Sequence, residues 1–368
     1  MTLLDAAALE ALVLRLLPVV VFLLAITVTA EVAERAGVFD VAGHRVAHWG
    51  RHRAWALWVL FAALAVGCTV VLSIDTTAVL LTPVGLAVAR QVGLDARLFA
   101  VTTLWVANTG SLLLPVSNLT NLLALHTVGR LGLGHGDFVR LAWAPALACV
   151  GATLLLVAAL HRRTLAAGYA VDPPPDPHDA VLLRWAGAVC VALGPLFALG
   201  APPWAVSVVS AAVLLAVARR RAPALLADLP VPWLMAGAFV GVSLAVEVLH
   251  EVGLTQVVTG LLPAGSGAAA LAGVAGAGAV VSNAVNNLPA YLLLEPAVAE
   301  APERLMALLV GVNAGPLVTP WASLATLLWL QRCRGAGVVV PWRWLLPAGA
   351  ACAALSVGAG ALALAATS

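Results

Sequence analysis

The sequence contains no lysine, since all 19 of its basic side chains of the Lys/Arg class are arginine. A Walker A motif needs a lysine to reach the nucleotide phosphates, which excludes a nucleotide-binding loop of that type. Charged residues make up only 10% of the 368 residues, against about a quarter in a soluble domain. By contrast, 62% of the residues are hydrophobic and the mean hydropathy is +1.04. A chain with so little polar surface is expected in a lipid bilayer.

Cysteine is also scarce, and its five occurrences follow no paired spacing: Cys68, Cys149, Cys190, Cys333 and Cys352. This pattern predicts neither a disulfide framework nor a zinc site. We expect no resident metal or cofactor, no enzymatic activity and no nucleic-acid partner. The apolar run 11–30 lacks a clear cleavage site, so we interpret it as a membrane span rather than a signal peptide.

Long hydrophobic segments recur along the chain. A bilayer core of about 30 Å requires roughly 20 apolar residues per helix, and most of these segments are long enough to supply them. The segments are 12–33, 55–90, 97–128, 139–160, 182–200, 204–218, 231–250, 267–299, 304–331 and 343–365. Four of them are interrupted by Gly, Pro, Asn, Ser or Thr, near 73–77, 109–117, 282–289 and 314–322. Broken backbone persists at membrane depth only where it is buried in protein or lines a cavity. We therefore predict the functional site at these interruptions.

The sequence repeats itself in order and with similar spacing. Ala30–Val38 matches Val246–Leu254, and Asn108–Leu123 matches Asn313–Leu328. Between them, Ser73–Thr77 corresponds to Ser282–Pro289. We divide the chain into a first repeat (1–165), a Pro-rich cytoplasmic linker (166–181) and a second repeat (182–368). Segments 182–200 and 204–218 are extra scaffold helices of the second repeat, since the first repeat has no counterparts to them.

The arginines predict a topology. If 55–90 and 267–299 are re-entrant hairpins, fifteen arginines fall on one face and four on the other. This is a strong positive-inside bias. It predicts a multi-pass protein of the plasma (inner) membrane with both termini extracytoplasmic, and a second repeat inverted relative to the first. The predicted fold is all-α, with two inverted repeats that each hold a hairpin and a discontinuous helix (97–128 and 304–331). This design is typical of secondary transporters. The basic stretch with His44, His48 and His52 is expected to be a solvated loop.

Neutral polar side chains dominate the interruptions. They are Ser73, Thr76, Thr77, Asn108, Thr109, Ser111, Ser117, Asn118, Asn121, Ser282, Asn283, Asn286, Asn287, Asn313, Thr319, Ser323 and Thr326. Amides and hydroxyls offer donors and acceptors, and half-helix N-termini add partial positive charge. Such a pocket suits a small polar solute, either neutral or anionic.

Asp75 is the ionisable residue at these interruptions. Burial without a cation favours the protonated carboxyl, so Asp75 is a candidate proton carrier. The alternative is that it caps the half-helix beginning near Thr76. The residues themselves leave both interpretations open.

Four motifs resemble those of the arsenical pump membrane proteins, arsenite/antimonite efflux permeases of the ion transporter superfamily. They are Ser73–Pro83, Asn108–Asn121, Ser282–Pro289 and Gly315–Leu330. The resemblance covers about residues 18–366. It implies an elevator-type fold, a homodimer and a substrate site formed by Ser73, Thr76, Asn108, Ser117, Asn118, Asn121, Ser282, Asn283, Asn286, Asn287, Asn313, Thr319 and Ser323, with Asp75 for proton coupling. Ile74 stands where the family usually has Asn.

The leading hypothesis is therefore proton-coupled efflux of arsenite or antimonite. A sodium- or proton-coupled transporter of di/tricarboxylate or sulfate is the alternative within the same superfamily. A non-transporting membrane receptor or scaffold is a third, against which the broken polar segments argue. A soluble ATPase could also dock on the basic loops.

Overall fold

A computed structural model of the protein describes residues 6–71, 73–170, 179–199, 201–229 and 262–368, with isolated positions between 231 and 260. Most of the predicted segment 231–250, and residues 171–178 of the predicted linker, lie outside this description. The helices with described bounds are α1 Ala6–Arg35, α2 Val38–Trp49, α3 Ala54–Val71, α4 Ile74–Val92, α5 Ala96–Thr109, α6 Leu119–Arg130, α7 His135–Leu160, α8 Arg162–Leu165, α9 Ala180–Ala198, α10 Pro203–Arg221, α11 Ala268–Val285, α12 Asn287–Leu294, α13 Pro302–Ala314, α14 Leu324–Gly335 and α15 Trp342–Thr367.

Six of the described helices are long and apolar enough to cross a membrane. The qualifying stretches are Leu16–Arg35, Ala54–Val71, His135–Leu160, Pro203–Arg221, Ala268–Val285 and Trp342–Thr367. Their windows are only partly buried inside the protein, so much of their apolar surface is available to lipid. The expectation of a multi-pass membrane protein is confirmed.

Each interrupted segment is a pair of helices. α3 and α4 occupy the first predicted hairpin and meet at Ser73, while α11 and α12 occupy the second and meet at Asn286. α5 and α6 are separated by two short 3₁₀ turns over 110–117, and α13 and α14 by the irregular stretch 315–323. We call 110–118 the first break and 315–323 the second break.

The described helices form two groups. α1 runs along α10 and also touches α9, and we call these three helices the side bundle. The hairpins, the broken helices, α7 and α15 pack on one another through contacts such as α4 with α5, α14 with α4, α11 with α13, and α7 with α15. We call this larger group the core body. Both breaks lie in the core body.

Most of the stretch predicted to be a basic loop is instead helical, since His44 and His48 lie in α2, while His52 lies in the turn that follows it. α2 buries Phe39, Gly43 and Ala47, which are spaced four residues apart on one face, and α2 packs along α4. This apolar stripe has a helical period, although it is interrupted by polar and charged residues. The prediction of a loop there was wrong because the charge and histidine content masked a short amphipathic pattern.

Small residues allow α11 and α13 to approach closely. A Cβ atom added at Gly311 would lie 2.1 Å from the carbonyl oxygen of Ala275, and one at Gly315 would lie 2.4 Å from the Cβ of Ala279. Small residues four positions apart let two membrane helices pack backbone to backbone. This contact joins the second hairpin to the first half of the second broken helix.

Gly311→Ala should therefore destabilise the core body by about 1–3 kcal/mol, because the clash is with backbone and no rotamer can relieve it. The measurement is thermal unfolding of the purified protein in detergent. Gly276→Ala on α11 is the control, since a Cβ there meets no atom within 4 Å. Equal unfolding temperatures for the two variants would contradict the close approach.

Candidate functional site

Four half-helices begin at the breaks and hairpin tips, and each starts with a polar N-cap side chain. These are Ser73 for α4, Asn118 for α6, Asn286 for α12 and Ser323 for α14. Their side-chain oxygens accept hydrogen bonds from the backbone N–H of Thr76 (3.2 Å), Thr120 (3.3 Å), Leu288 (3.3 Å) and Thr326 (3.2 Å). The sequence predicted all four as site residues. Helix N-termini carry partial positive charge, so four such ends favour polar or anionic groups nearby.

The two hairpin tips share an uncommon backbone conformation. Ser73 has φ 152° and ψ 165°, and Asn286 has φ 109° and ψ 153°. Non-glycine residues rarely adopt this region, and strain of this kind is often found at ligand sites. The two tips thus resemble each other in backbone as well as in sequence position.

Ser73→Gly should be at least as stable as the native protein, because glycine relieves about 1–3 kcal/mol of strain and loses only a few tenths as a cap. Ser73→Ala should instead lose about 1 kcal/mol, since it keeps the strain and removes the cap. Thermal unfolding of both variants in the same detergent tests the order. An alanine variant more stable than the glycine variant would refute it.

The second hairpin is held to the second break by a dense set of hydrogen bonds around Asn283. Its Nδ2 donates to the Gly315 carbonyl at 2.8 Å, and its Oδ1 accepts from the N–H groups of Val318 (3.0 Å) and Thr319 (3.1 Å). The Thr319 hydroxyl donates back to the Asn283 carbonyl at 2.6 Å. One amide therefore satisfies backbone that the break leaves unpaired.

The tip residues extend the same contact. Asn286 Nδ2 donates to the Trp321 carbonyl at 2.7 Å, and the N–H of Asn287 donates to the Ala322 carbonyl at 2.8 Å. The indole N–H of Trp321 lies 3.0 Å from the Asn283 carbonyl oxygen. Hairpin and break form one continuous polar layer.

Asn313, at the end of α13, connects the two breaks. Its Oδ1 accepts from Asn118 Nδ2 and from the Thr120 hydroxyl, both at 2.9 Å, and its Nδ2 donates to Asn121 Oδ1 at 2.7 Å. Asn121 in turn donates to the Ser111 carbonyl at 2.7 Å. All of these side chains are buried. The network fixes the start of α6 against the second broken helix.

The first hairpin has fewer such contacts. The Ser117 hydroxyl donates to the Val70 carbonyl at 2.7 Å, and the Thr69 hydroxyl donates to that of Thr77 at 3.2 Å. The Ser73 hydroxyl donates to that of Thr76 at 2.9 Å, within its own helix start. The first tip is therefore less tightly joined to its break than the second.

Asn108 and Ser282 are two further predicted site residues whose side chains bond only within their own helices. Asn108 donates to the Leu104 carbonyl at 2.9 Å, and the Ser282 hydroxyl donates to the Ala279 carbonyl at 3.0 Å. Asn108 Oδ1 is fully buried and accepts no hydrogen bond from any described residue. Asn108 is the repeat counterpart of Asn313, whose polar atoms are all paired. At this pair of equivalent positions, only Asn108 of the first repeat leaves a buried acceptor open.

Asp75 is the second residue of α4 and is half-buried. The N-cap of that helix is Ser73, so the capping interpretation of Asp75 was wrong. Among the described residues, none donates a hydrogen bond to its carboxylate or forms an ion pair with it. Asp75 is the only charged residue at either tip or break.

A cavity of about 600 Å³ reaches the first tip from between α2, α4 and α9. Thr76 and Thr77 lie at one part of its wall, and Arg45 and Arg184 at another. Most other lining residues are apolar. The cavity wall thus includes two residues beside the first tip and two arginines that the sequence predicts on the cytoplasmic face.

A buried ion cluster connects the side bundle to the core body. Arg332 of α14 is 4% exposed. Its Nη1 lies 3.0 Å from Glu31 Oε2 and 3.6 Å from Glu34 Oε2, and its Nη2 donates to the Thr27 carbonyl at 2.8 Å. Glu31 also pairs with Arg35 at 2.9 Å. Sequence reasoning missed this contact, because nothing in the sequence distinguishes Arg332 from the other arginines predicted on the cytoplasmic face.

Sequence reasoning also missed Thr120 and Trp321. Thr120 is the second residue of α6 and lies between the predicted site residues Asn118 and Asn121. Its position in the sequence could therefore have identified it as a site residue. Trp321 contacts the second hairpin through its indole N–H, and no pattern in the sequence distinguishes it from a tryptophan at the membrane interface.

A family model described as citrate transporter, CitMHS, matches residues 3–330. The chain belongs to the citrate transporter family. This confirms the transporter family suggested by the broken-helix motifs.

The chain is also similar to curated proteins that are named arsenical pump membrane proteins. An arsenical pump membrane protein of Yersinia enterocolitica is 28% identical over 349 residues, covering 89% of this chain and 81% of that protein. One of Escherichia coli strain K12 is 26% identical over the same coverage. The resemblance of the four motifs to arsenical pump membrane proteins is confirmed by these relatives.

A solved structure shares the fold. The Alcanivorax borkumensis YdaH transporter superposes with a TM-score of 0.52 at 17% identity, covering 99% of this chain and 89% of that one. The part of the chain that the structure describes is thus helical and shares the fold of this transporter.

Proposed function

We propose that the protein exports arsenite and antimonite from the cytoplasm in exchange for protons. The single observation that carries the solute assignment is the charge of the site. Both tips and both breaks are lined by amides, hydroxyls and backbone groups, with Asp75 as their one charged residue. Trivalent arsenic is a neutral hydroxide at neutral pH. An amide-and-hydroxyl site beside a carboxylate suits it, and the names of the curated relatives support the same solute class.

Proton coupling is assigned to Asp75. Its carboxylate has no cation partner among the described residues, so its charge in the membrane is compensated only by the start of α4. A carboxyl in this position can take up a proton where water reaches it and release the proton on the other face. Access from the predicted cytoplasmic face is supported by the cavity whose wall includes Thr76 and Thr77, the two residues that follow Asp75.

The rival function is coupled transport of a di/tricarboxylate or sulfate, as the description of the family model suggests. The four half-helix N-termini favour it, because they add partial positive charge. No arginine of either break balances a second or third negative charge, however, and Asp75 repels an anion unless it is protonated or paired with sodium.

The test is a proteoliposome flux assay with arsenite, citrate and sulfate, each under an imposed proton gradient and an imposed sodium gradient. We expect arsenite flux that the proton gradient drives and the sodium gradient does not. Citrate or sulfate flux without arsenite flux would replace the proposed solute.

Asp75→Asn should remove the response of arsenite flux to the proton gradient, because an amide cannot carry a proton at neutral pH. Glu303→Gln is the matched control, since Glu303 begins α13 at its far end from the second break. If arsenite flux in Asp75→Asn still follows the proton gradient, Asp75 is not the coupling residue.

The expected homodimer, a soluble ATPase partner and the extracytoplasmic location of both termini remain predictions. Cysteine labelling at the two ends of the chain from one side of a sealed vesicle would test the orientation.

A further inference from the structure

A second, polar cavity of about 380 Å³ lies away from the broken helices, where α5 begins, α7 ends and α15 begins. Its size falls within the range of small-molecule pockets, about 300–1,000 Å³. The residues that matter in its wall are Asp95, Arg97, His161, Arg162, Arg163 and Trp344. The arginine distribution predicts that this end of α7 faces the cytoplasm.

The cavity carries an excess of positive charge. Its one carboxylate, Asp95, is used locally, because its Oδ1 accepts from the Arg97 N–H at 3.0 Å and caps α5, and the Arg97 Nε lies 3.8 Å away. Arg162 and Arg163 form no ion pair with any described residue. Two guanidinium groups at the rim are therefore uncompensated.

His161 supplies a buried polar group at the same cavity. Its side chain is 8% exposed, and its Nε2 has no hydrogen-bond partner among the described residues. Buried polar groups in proteins are nearly always paired, so an unpaired nitrogen on a residue of the cavity wall indicates that a ligand atom can pair with it when the cavity is occupied. The pKa of His161 lies below its ordinary value, chiefly because burial disfavours the charged ring. Asp95 opposes this lowering of the pKa, and Arg97 adds to it.

Aromatic packing holds the histidine ring in place. The His161 ring meets the Trp344 ring edge to face, with centroids 5.9 Å apart, and Trp344 stacks on Trp105 at 6.3 Å. The imidazole is thus held in place, and the exposed guanidinium groups of Arg162 and Arg163 follow it directly in the chain. Guanidinium groups match the oxygens of phosphate in a bidentate geometry.

We propose that this cavity binds a phosphate group, with Arg97, Arg162 and Arg163 contacting its oxygens and His161 donating from Nε2. The phosphate could belong to inorganic phosphate in the cytoplasm or to the headgroup of an anionic phospholipid at the membrane surface. Both share the chemistry that the cavity recognises. This site is independent of the transported solute.

The test measures thermal unfolding of the full chain in an uncharged detergent. One arm titrates inorganic phosphate against chloride at equal ionic strength, and another adds phosphatidylglycerol against phosphatidylcholine. A saturable rise in unfolding temperature with phosphate supports a soluble ion as ligand, and a rise with phosphatidylglycerol alone supports a lipid headgroup. If the protein responds to phosphate as it does to chloride, and to phosphatidylglycerol as it does to phosphatidylcholine, the proposal is overturned.

Variants separate the cavity from general surface charge. Arg162→Gln with Arg163→Gln should weaken binding at least about tenfold, since two charge-assisted contacts are lost. Arg219→Gln with Arg220→Gln is the matched control, because it removes two adjacent exposed arginines at the end of α10. Equal weakening in both double variants would indicate unspecific attraction and contradict the site.

His161→Phe distinguishes ligand binding from a purely structural role, because the two predict different unfolding temperatures without and with ligand. Replacing an unpaired buried nitrogen with carbon should leave the unfolding temperature without ligand unchanged or higher, while the shift caused by the ligand is lost. A His161→Phe variant that keeps the full ligand shift would remove His161 from the site. If that variant folds poorly, the arginine pair alone decides the proposal.

Discussion

Replacing Arg332 with alanine should lower the free energy of unfolding by about 3–5 kcal/mol, the range for breaking a buried ion pair. The guanidinium contacts Glu31, Glu34 and the Thr27 carbonyl, and almost none of it reaches solvent. Without it, two carboxylates near the end of α1 face each other across a low-dielectric contact. Thermal or denaturant unfolding of the purified protein in detergent measures the loss.

Arg334→Ala is the matched control on the same helix. Arg334 is exposed and has no ion pair among the described residues, so its loss should change stability by less than about 0.5 kcal/mol. Adding Glu31→Gln and Glu34→Gln to Arg332→Ala should recover part of the loss, because no buried charge is then left unpaired. If both single arginine variants unfold alike, Arg332 does not bind the two carboxylates in the purified protein.

The ion cluster matters for function because of the elements that it joins. Glu31 and Glu34 belong to the side bundle, and Arg332 lies at the far end of the half-helix that begins at Ser323. Any movement that slides α14 along α1 would have to separate these charges. The cluster therefore stabilises the conformation described here relative to any conformation in which α14 has slid along α1.

The positions of the breaks could be predicted from the sequence because they follow from local chemistry. Ser73, Asn118, Asn286 and Ser323 are polar residues that interrupt apolar runs, and each begins a half-helix. A side chain that caps a helix is recognisable without knowledge of the partner helices. The observed hairpins and broken helices accordingly lie within a few residues of the predicted segments.

The pairing of these residues across the fold could not be predicted in the same way. Asn313 and Asn108 occupy equivalent repeat positions, yet Asn313 bonds to two side chains of α6 and to its N-cap Asn118, while Asn108 bonds only within its own helix. Which amide finds partners depends on how two distant segments approach each other. The same holds for Arg332, whose partners are about three hundred residues away in sequence.

Asn313→Leu should lower the free energy of unfolding by about 3 kcal/mol and abolish arsenite flux. A leucine of similar size leaves Asn118, Thr120 and Asn121 without their shared partner, and each buried polar group left unpaired costs about 1–3 kcal/mol. Losses at neighbouring groups do not add fully, so the lower end of the sum applies. Unfolding in detergent and flux in proteoliposomes are the two measurements.

Asn108→Leu changes the equivalent residue of the first repeat and is the matched comparison for Asn313→Leu. We expect it to reduce transport with little loss of stability. It removes one hydrogen bond within α5 and an acceptor that no described residue uses, so stability should fall by less than about 1 kcal/mol. If the open Oδ1 binds the solute, arsenite flux should still fall about tenfold, the value of one good hydrogen bond. Full flux in Asn108→Leu would take this residue out of the solute site. Equal destabilisation by the two variants would mean that Asn108 Oδ1 has a structural partner after all, and the difference between the repeats would then lie elsewhere in the breaks.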